Sequence, residues 1–341
     1  MGRAARSTGG SASKRFTFES TCIRLGWPDH CSPFSGITVS TKDTDYQVNT
    51  LQAYFELTKP GITRMIVLTA ATGYYLAIET HFEIFISTSE LLLPFIFAML
   101  GTALTSAGSC VLNNVMEIQF DKSMKRTAHR ALPSGIVPRQ SANLFGFALS
   151  VIGLVILYLY VNPLTSVLAL LSIVSYVYVY TPLKRKTKLS LYAGTLPGAL
   201  PALGGWTACT NSIDLPGMLL FLVLICWQIP HFLALAWIYR VDYEQAGFKM
   251  HTEGGDSTGM KVAILSIVYA VFGGIASILM WKYAPLGFVF GIGAIVLSFF
   301  FLYACITFLR NQDGKSAKLQ LYASYAFLSG IFLLVFVNKQ L

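Results

Sequence analysis

The chain has 341 residues, of which 54% are hydrophobic and only 12% charged. An ordinary soluble domain carries about a quarter charged residues, so this composition excludes a globular domain of the usual kind and fits a polytopic membrane protein. The formal net charge of +9 would suggest a nucleic-acid partner in a soluble protein; here the cations flank apolar runs, so lipid headgroups, membrane topology and anionic substrates account for them and no nucleic-acid partner is expected.

Residues 1–50 differ from the rest of the chain. They are rich in Ser and Gly, and Arg3, Arg6, Lys14 and Arg15 precede the first acid, Glu19. Such a segment reads as a disordered leader or an organelle transit peptide; no long apolar stretch comes directly after it, which argues against a secretory signal. Residues 51–341 read as one all-α membrane domain. Nine segments have the length and apolar character of a transmembrane helix, about 20 residues each: 61–79, 91–112, 142–161, 163–182, 190–208, 216–238, 261–281, 285–307 and 319–338. The fifth, SLYAGTLPGALPALGGWTA, is rich in Gly and Pro and is expected to be kinked, closely packed or partly re-entrant. The six cysteines form no CxxC pair and lie partly within apolar runs, so neither a disulfide framework nor a metal–thiolate site is expected.

The basic residues set the orientation. With the N-terminus inside, the inner segments hold 23 of the 25 Lys and Arg residues, and only Lys282 and Lys339 lie outside. The C-terminus is then outside, and every polar cluster faces the inner side.

Three polar clusters occur in chain order. The second span continues into NNVMEIQFDKSMKRTAHRALPSG. Asn113, Glu117 and Asp121 are spaced i, i+4, i+8, which places them on one helical face. Three oxygen donors in a row suit a hard divalent cation such as Mg²⁺, which keeps waters and substrate phosphates in its shell. Lys122, Lys125, Arg126 and Arg130 come next, and Arg forks suit phosphate oxygens. A Mg²⁺–diphosphate ligand needs such a neighbourhood; a solvated helix end under the positive-inside bias explains the spacing equally well. The fourth span ends SYVYVYTPLKRKTK. Tyr176 and Tyr180 share a helical face that Tyr178 does not, and Lys184, Arg185, Lys186 and Lys188 come after them. Interfacial anchoring accounts for most of this segment, while aromatic faces and a basic loop can also serve a carbocation and a diphosphate. The sixth span carries Gln228 and His231 within apolar sequence, then Arg240, Asp242 and Glu244 at its inner end. Polar groups within a span usually face the bundle interior and are candidates for function; a structural histidine bonded to a neighbouring helix is the competing reading of His231, and a solvated loop residue is the favoured reading of Glu244. Asp242 falls at the same membrane level as Asp121, so two acidic helix tips could grip one cation cluster.

The run N113-x3-E117-x3-D121-x2-M124-x-R126-T127-x2-R130 resembles the first Asp-rich motif of the intramembrane prenyltransferases, the UbiA superfamily. More narrowly, M-x-R-T-x-x-R, YTPLKRKT (180–187), WQIPHFLALAW (227–237), DYEQAG (242–247) and FELTKPGIT (55–63) resemble the protohaem IX farnesyltransferases, or haem O synthases, over about residues 52–338. Glu117 stands where that family usually has Asp, Ala131 where it often has Pro, Ser190 where it has Asn, and Pro201-Ala202 where it has Pro-Pro. The resemblance implies a UbiA-like bundle of nine transmembrane helices around a central cavity open to the inner side. It implies a Mg²⁺-dependent prenyltransferase with farnesyl diphosphate as donor and haem B as acceptor, giving haem O, upstream of haem A and cytochrome oxidase biogenesis. Mg²⁺ would be held by Asn113, Glu117, Asp121 and Asp242, and the diphosphate further clamped by Arg126, Arg130, Lys184, Arg185 and Arg240. Tyr176 and Tyr180 would shield the farnesyl cation, and His231 would orient haem or stand beside the quenching water. The implied setting is the bacterial inner membrane, or alternatively the mitochondrial inner membrane, with haem A synthase and oxidase assembly factors as the partner class. A prenyltransferase acting on a quinone precursor, a transporter with its path through the broken fifth span, and a non-catalytic haem chaperone stay open as alternatives.

Overall fold

The computed structural model describes residues 50–79, 82–122, 127–241 and 259–340. The leader, together with Arg126, Asp242 and Glu244, lies outside the described residues. Everything regular within them is helical: α1 (Thr50–Leu57), α2 (Pro60–Ala77), α3 (Phe82–Ser87), α4 (Ser89–Asp121), α5 (Arg139–Tyr160), α6 (Pro163–Val174) continuing through a π-helical turn (Ser175–Tyr180) into α7 (Thr181–Lys186), then α8 (Ser190–Thr210), α9 (Leu215–Ile238), α10 (Met260–Tyr283), α11 (Phe288–Asn311) and α12 (Gly314–Asn338). Nine long helical segments among the described residues coincide with the nine predicted spans. Seven of them are long and apolar enough to cross a membrane. The other two are α2, which carries Arg64, and α8, which carries Ser, Thr, Gly and Pro; the number of true spans therefore stands at seven by composition, and nine is not established.

Helix pairs meet through small residues, as expected where lipid supplies no hydrophobic drive between helices. Gly101 and Gly108 on α4 face Gly153, Ser150 and Gly146 on α5, and a Cβ at Gly153 would lie 2.8 Å from the Gly101 carbonyl. On α2 and α8, a Cβ at Gly73 or Gly205 would collide with the Ala202 or Ala70 carbonyl oxygen. The Gly/Pro-rich segment is thus a continuous, closely packed helix of 21 residues. The last four helices enclose a second core of larger side chains, with Leu220, Phe290, Phe301, Phe327 and Ile331 fully buried. Outward-facing Phe299, Leu333 and Leu144 are more than 60% exposed, as lipid-facing side chains must be.

Two side-chain caps fix helix starts, the first of them buried. Asn162 accepts from the Thr165 amide at 2.8 Å and donates to the Thr207 carbonyl at 2.8 Å, tying the α5–α6 corner to α8. Asp313 and Ser316 form a capping box on α12. At the end of the bundle where α2 and α12 finish, Lys339 donates to the Tyr75 and Ile78 carbonyls, closing the orphan acceptors of the α2 C-terminus. Its burial pushes the ammonium pKa down to about 8. Cys110, Cys209, Cys226 and Cys305 are free thiols, three of them buried.

Candidate active site

A cavity of about 520 Å³ opens at the opposite end, between α2, α4, α6, α8 and α9. Its polar floor is the end of α4. That helix has 33 residues and spans about 50 Å at 1.5 Å per residue, more than the roughly 30 Å of a bilayer's hydrocarbon core. The surplus carries Asn113, Glu117 and Asp121 past the apolar section as one row, and all three line the cavity. They are 2%, 9% and 4% exposed. Carboxylates this deeply buried need cations or donors, and the surrounding elements supply them.

Lys184, on α7, forms an ion pair with Glu117. Arg130 lies 3.4 Å from Asp121, brought back over the helix end by Thr127, whose hydroxyl donates to the Asp121 carbonyl at 2.9 Å. Lys59 donates to Asn113 Oδ1 at 3.0 Å. It occupies the left-handed region, with φ 49° and ψ 64°, at the corner where α1 turns into α2. Its successor is Pro60, which disfavours the right-handed helical region for the residue before it. Strained backbone of this kind concentrates at functional sites. The amide of Asn113 is held from the other side: Nδ2 donates to Thr181 Oγ1 at 2.9 Å. The Thr181 hydroxyl itself donates to the Tyr176 carbonyl at 2.8 Å, so its oxygen can only accept from Asn113, and Oδ1 is thereby turned towards Lys59.

The aromatic wall depends on the π-helical turn. Pro182 has no amide proton and its ring would meet the carbonyl four residues back in an α-helix; the wider turn relieves this, and π-turns recur at functional sites. Tyr176 and Tyr180 stack with centroids 5.7 Å apart and planes 15° apart, and Lys184 Nζ lies 5.8 Å from the Tyr180 ring centre. Tyr178 faces out at 63% exposure. The predicted face-sharing holds, through a turn type that the spacing does not reveal. Gly194 lets the Tyr180 ring lie flat on α8, where a Cβ would be 2.8 Å from a ring carbon, and Gly198 leaves room for the Gln228 carboxamide. Gln228 donates to the Thr195 and Leu224 carbonyls at 3.3 and 3.2 Å. Beyond the polar floor the walls are mainly apolar, with Leu157, Leu168, Ile173, Leu200 and Phe232, interspersed with the hydroxyls of Thr105, Ser109, Thr165 and Ser172.

The cavity thus collects Asn113, Glu117, Asp121, Arg130, Lys184, Tyr176 and Tyr180. Arg185, Arg240 and His231 are not on its walls. Arg185 lies over the Phe120 ring, because successive residues on α7 point in different directions and Lys184 takes the inward one. Arg240 donates to the Trp237 carbonyl at 2.8 Å and sits 4.8 Å over that indole, capping α9. His231 faces α12. Lys59 and Thr181 were not singled out from the sequence, although each lies in a string that carries the resemblance, FELTKPGIT (55–63) and YTPLKRKT (180–187); nothing local to either string shows that the two side chains meet at Asn113. Among the described residues no group of three or more His, Cys, Asp and Glu could hold a metal. Glu117 and Asp121 with the Asn113 amide offer three hard oxygen ligands, which fits Mg²⁺ completed by water and phosphate oxygens.

Residues 66–331 match the UbiA prenyltransferase family. The chain is 37% identical over 289 residues to the protoheme IX farnesyltransferase of Salinibacter ruber, covering 84% of this chain and 98% of that protein. It is 40% identical over 237 residues to the protoheme IX farnesyltransferase of Sorangium cellulosum, covering 69% and 84%. Among solved structures, a digeranylgeranylglyceryl phosphate synthase superposes with a TM-score of 0.71 at 18% identity, over 85% of this chain and 98% of that one. A UbiA homologue from Archaeoglobus fulgidus bound to GPP and Mg²⁺ superposes with a TM-score of 0.60 at 15% identity, over 84% and 100%. The fold, the row of buried oxygens beside cations and the match along most of the length agree: this chain is an integral membrane protein and belongs to the UbiA prenyltransferase family.

Proposed function

We propose that this protein transfers the farnesyl group of farnesyl diphosphate to a vinyl group of haem B, with addition of water, giving haem O. The observation that carries this reading is the near-full-length identity to proteins named protoheme IX farnesyltransferase, joined to a cavity with a cation-lined polar floor and an apolar, tyrosine-faced upper part. A volume of about 520 Å³ falls in the range of a single small-molecule site, roughly 300–1,000 Å³.

Lys59, Lys184 and Arg130 would receive the diphosphate, exchanging their present partners Asn113, Glu117 and Asp121 for its oxygens. Those three residues, with Asp242, would hold Mg²⁺, which when bound supplies neutralisation of the charge that develops on the leaving group. As the allylic C–O bond breaks, the diphosphate keeps the electron pair. The Tyr176 and Tyr180 faces stabilise the allylic cation, and the apolar walls keep water from it. The haem vinyl π-electrons form the new C–C bond; water adds to the cation left beside the porphyrin and loses a proton. Residues 51–341 would form this enzyme behind a leader of residues 1–50, in a bacterial inner membrane with the active end inside. The basic residues at the cavity end, Lys59, Arg130, Lys184 and Lys188, against Lys282 and Lys339 at the other, favour that orientation.

The test is purified protein in nanodiscs given farnesyl diphosphate, Mg²⁺ and haem B, with mass analysis of extracted haems. Haem O and released diphosphate are expected. Prenylation of 4-hydroxybenzoate but not of haem would assign a quinone-type acceptor, and no Mg²⁺-dependent diphosphate release would remove the enzyme altogether.

A further inference from the structure

His231 is buried in the bundle but turned away from the cavity. Its Nδ1 lies 2.9 Å from Ser324 Oγ on α12. Ser324 Oγ is also 2.6 Å from the Leu321 carbonyl, which can only accept. The one hydroxyl proton is therefore spent on Leu321, and Ser324 must accept from His231 Nδ1–H. In a neutral imidazole this leaves the lone pair on Nε2, and Nε2 has no hydrogen-bond partner among the described residues. Trp227 stacks on the ring at 4.9 Å and 25°, and its indole donates to the Ser324 carbonyl at 2.6 Å, locking both helices together. Phe232 and Tyr325 meet the ring edge-on at 5.4 and 5.1 Å.

Nε2 is not one of the fully buried polar atoms left without a partner, so its lone pair keeps accessible surface in a fixed direction among aromatic rings; such a nitrogen is the usual axial ligand of haem iron, with the other ring nitrogen oriented by a hydrogen bond. The seam opens outward at Tyr325, which is 48% exposed. Phe232 is also a wall of the central cavity, so the two places are separated by one side chain. Lys318 and Tyr322 continue the exposed face of α12 from Tyr325, at spacings of seven and three residues, towards the cavity end. An amphiphile with a flat apolar ring and two carboxylates fits such a face, the ring against the aromatic side chains and the carboxylates near Lys318.

We propose that haem B docks on the membrane-facing seam between α9 and α12, its iron on His231 Nε2, its propionates near Lys318 and one vinyl edge passing Phe232 into the prenyl cavity. Ser324 is a positioning residue that fixes the imidazole tautomer. The site rests on the haem O reading for the identity of its ligand.

Haemin titrated into the nanodisc protein, followed by absorption and by the iron–histidine stretch in resonance Raman, tests it. The wild type is expected to show an imidazole-ligated haem. His231→Ala and His231→Gln lose that signature, and added imidazole restores it to the Ala variant. Ser324→Ala weakens haem binding about tenfold, the lower end for loss of a group that orients a metal ligand, and shifts the stretch; Ser324→Thr keeps both. Lys318→Glu weakens binding about fivefold, the size of one exposed ion pair, and leaves the stretch unchanged. A wild-type spectrum retained in both His231 variants, or Ser324→Ala without effect on stretch and affinity, overturns the site. A chain that forms haem O with His231 replaced and the spectrum unchanged loses this site and keeps the proposed function. One that binds haem through His231 yet forms no haem O keeps the site and loses the function.

Discussion

Replacing Thr181 by Val isolates one hydrogen-bonded link in the site. The side chains are nearly the same size, so packing changes little, but the hydroxyl that bridges the Tyr176 carbonyl and Asn113 Nδ2 is gone. Asn113 is 2% and Thr181 5% exposed, so no water takes over freely. The Asn113 amide loses the one anchor its nitrogen has among the described residues, at about 1–3 kcal/mol for a buried donor left unpaired. It escapes part of that cost by rotating, which turns Oδ1 away from the row formed with Glu117 and Asp121. The expected result is a half-saturating Mg²⁺ concentration raised about tenfold, the equivalent of about 1.4 kcal/mol, with little change in rate at saturating metal. Thr181→Ser, which keeps the hydroxyl, should behave as wild type. Mg²⁺-dependent diphosphate release in nanodiscs, with Mn²⁺ binding followed by electron paramagnetic resonance, gives both quantities. If Thr181→Val matches wild type in both metal affinity and maximal rate, the orientation assigned to Asn113, and its place as a metal ligand, are wrong.

Three further outcomes are expected. Lys59→Met removes the cation that Asn113 Oδ1 accepts from; KM for farnesyl diphosphate should rise about tenfold, consistent with loss of one charge-assisted hydrogen bond worth about 1.5–3 kcal/mol, and an unchanged KM would remove Lys59 from the diphosphate site. Tyr180→Phe should keep most of kcat while Tyr180→Leu loses about thirtyfold, because a desolvated cation–π contact is worth about 2 kcal/mol; equal rates for the two variants would show that the ring face plays no part. Gly205→Ala drives a methyl into the Ala70 carbonyl across the α2–α8 contact and should cost about 1–3 kcal/mol, read as an earlier thermal aggregation point, whereas Gly204→Ala, with open space around it, should not.

Several features were legible from residues alone, each for a local reason. The i, i+4, i+8 spacing of Asn113, Glu117 and Asp121 fixes a common face on any helix, and the structure keeps them in one buried row. Low charge and nine apolar segments specify an all-helical membrane bundle, although α2 and α8 are too polar to be counted as spans by composition. The Gly/Pro-rich α8 was legible as closely packed but not as continuous, because prolines in a helix are accommodated by neighbouring helices that no local pattern names. The basic runs could be assigned to one end of the bundle but not sorted within it: Lys184 and Arg185 are adjacent, and only the exit from the π-helical turn turns the first onto Glu117 and the second onto Phe120.

What the sequence by itself determined is everything that depends on short spacing and on the cost of burying charge: the class, the helices, the acidic face and the bias of cations to one end. Which partner each polar group meets was decided only in three dimensions. Lys59 reaches Asn113 across 54 positions, Thr181 orients it from 68 away, and Ser324 sets the proton on His231 from 93 away. Those contacts are made by helices packing side by side, where direction around the helix axis matters more than distance along the chain, and Gln228 and His231, three residues apart on α9, end up serving different faces of the same bundle.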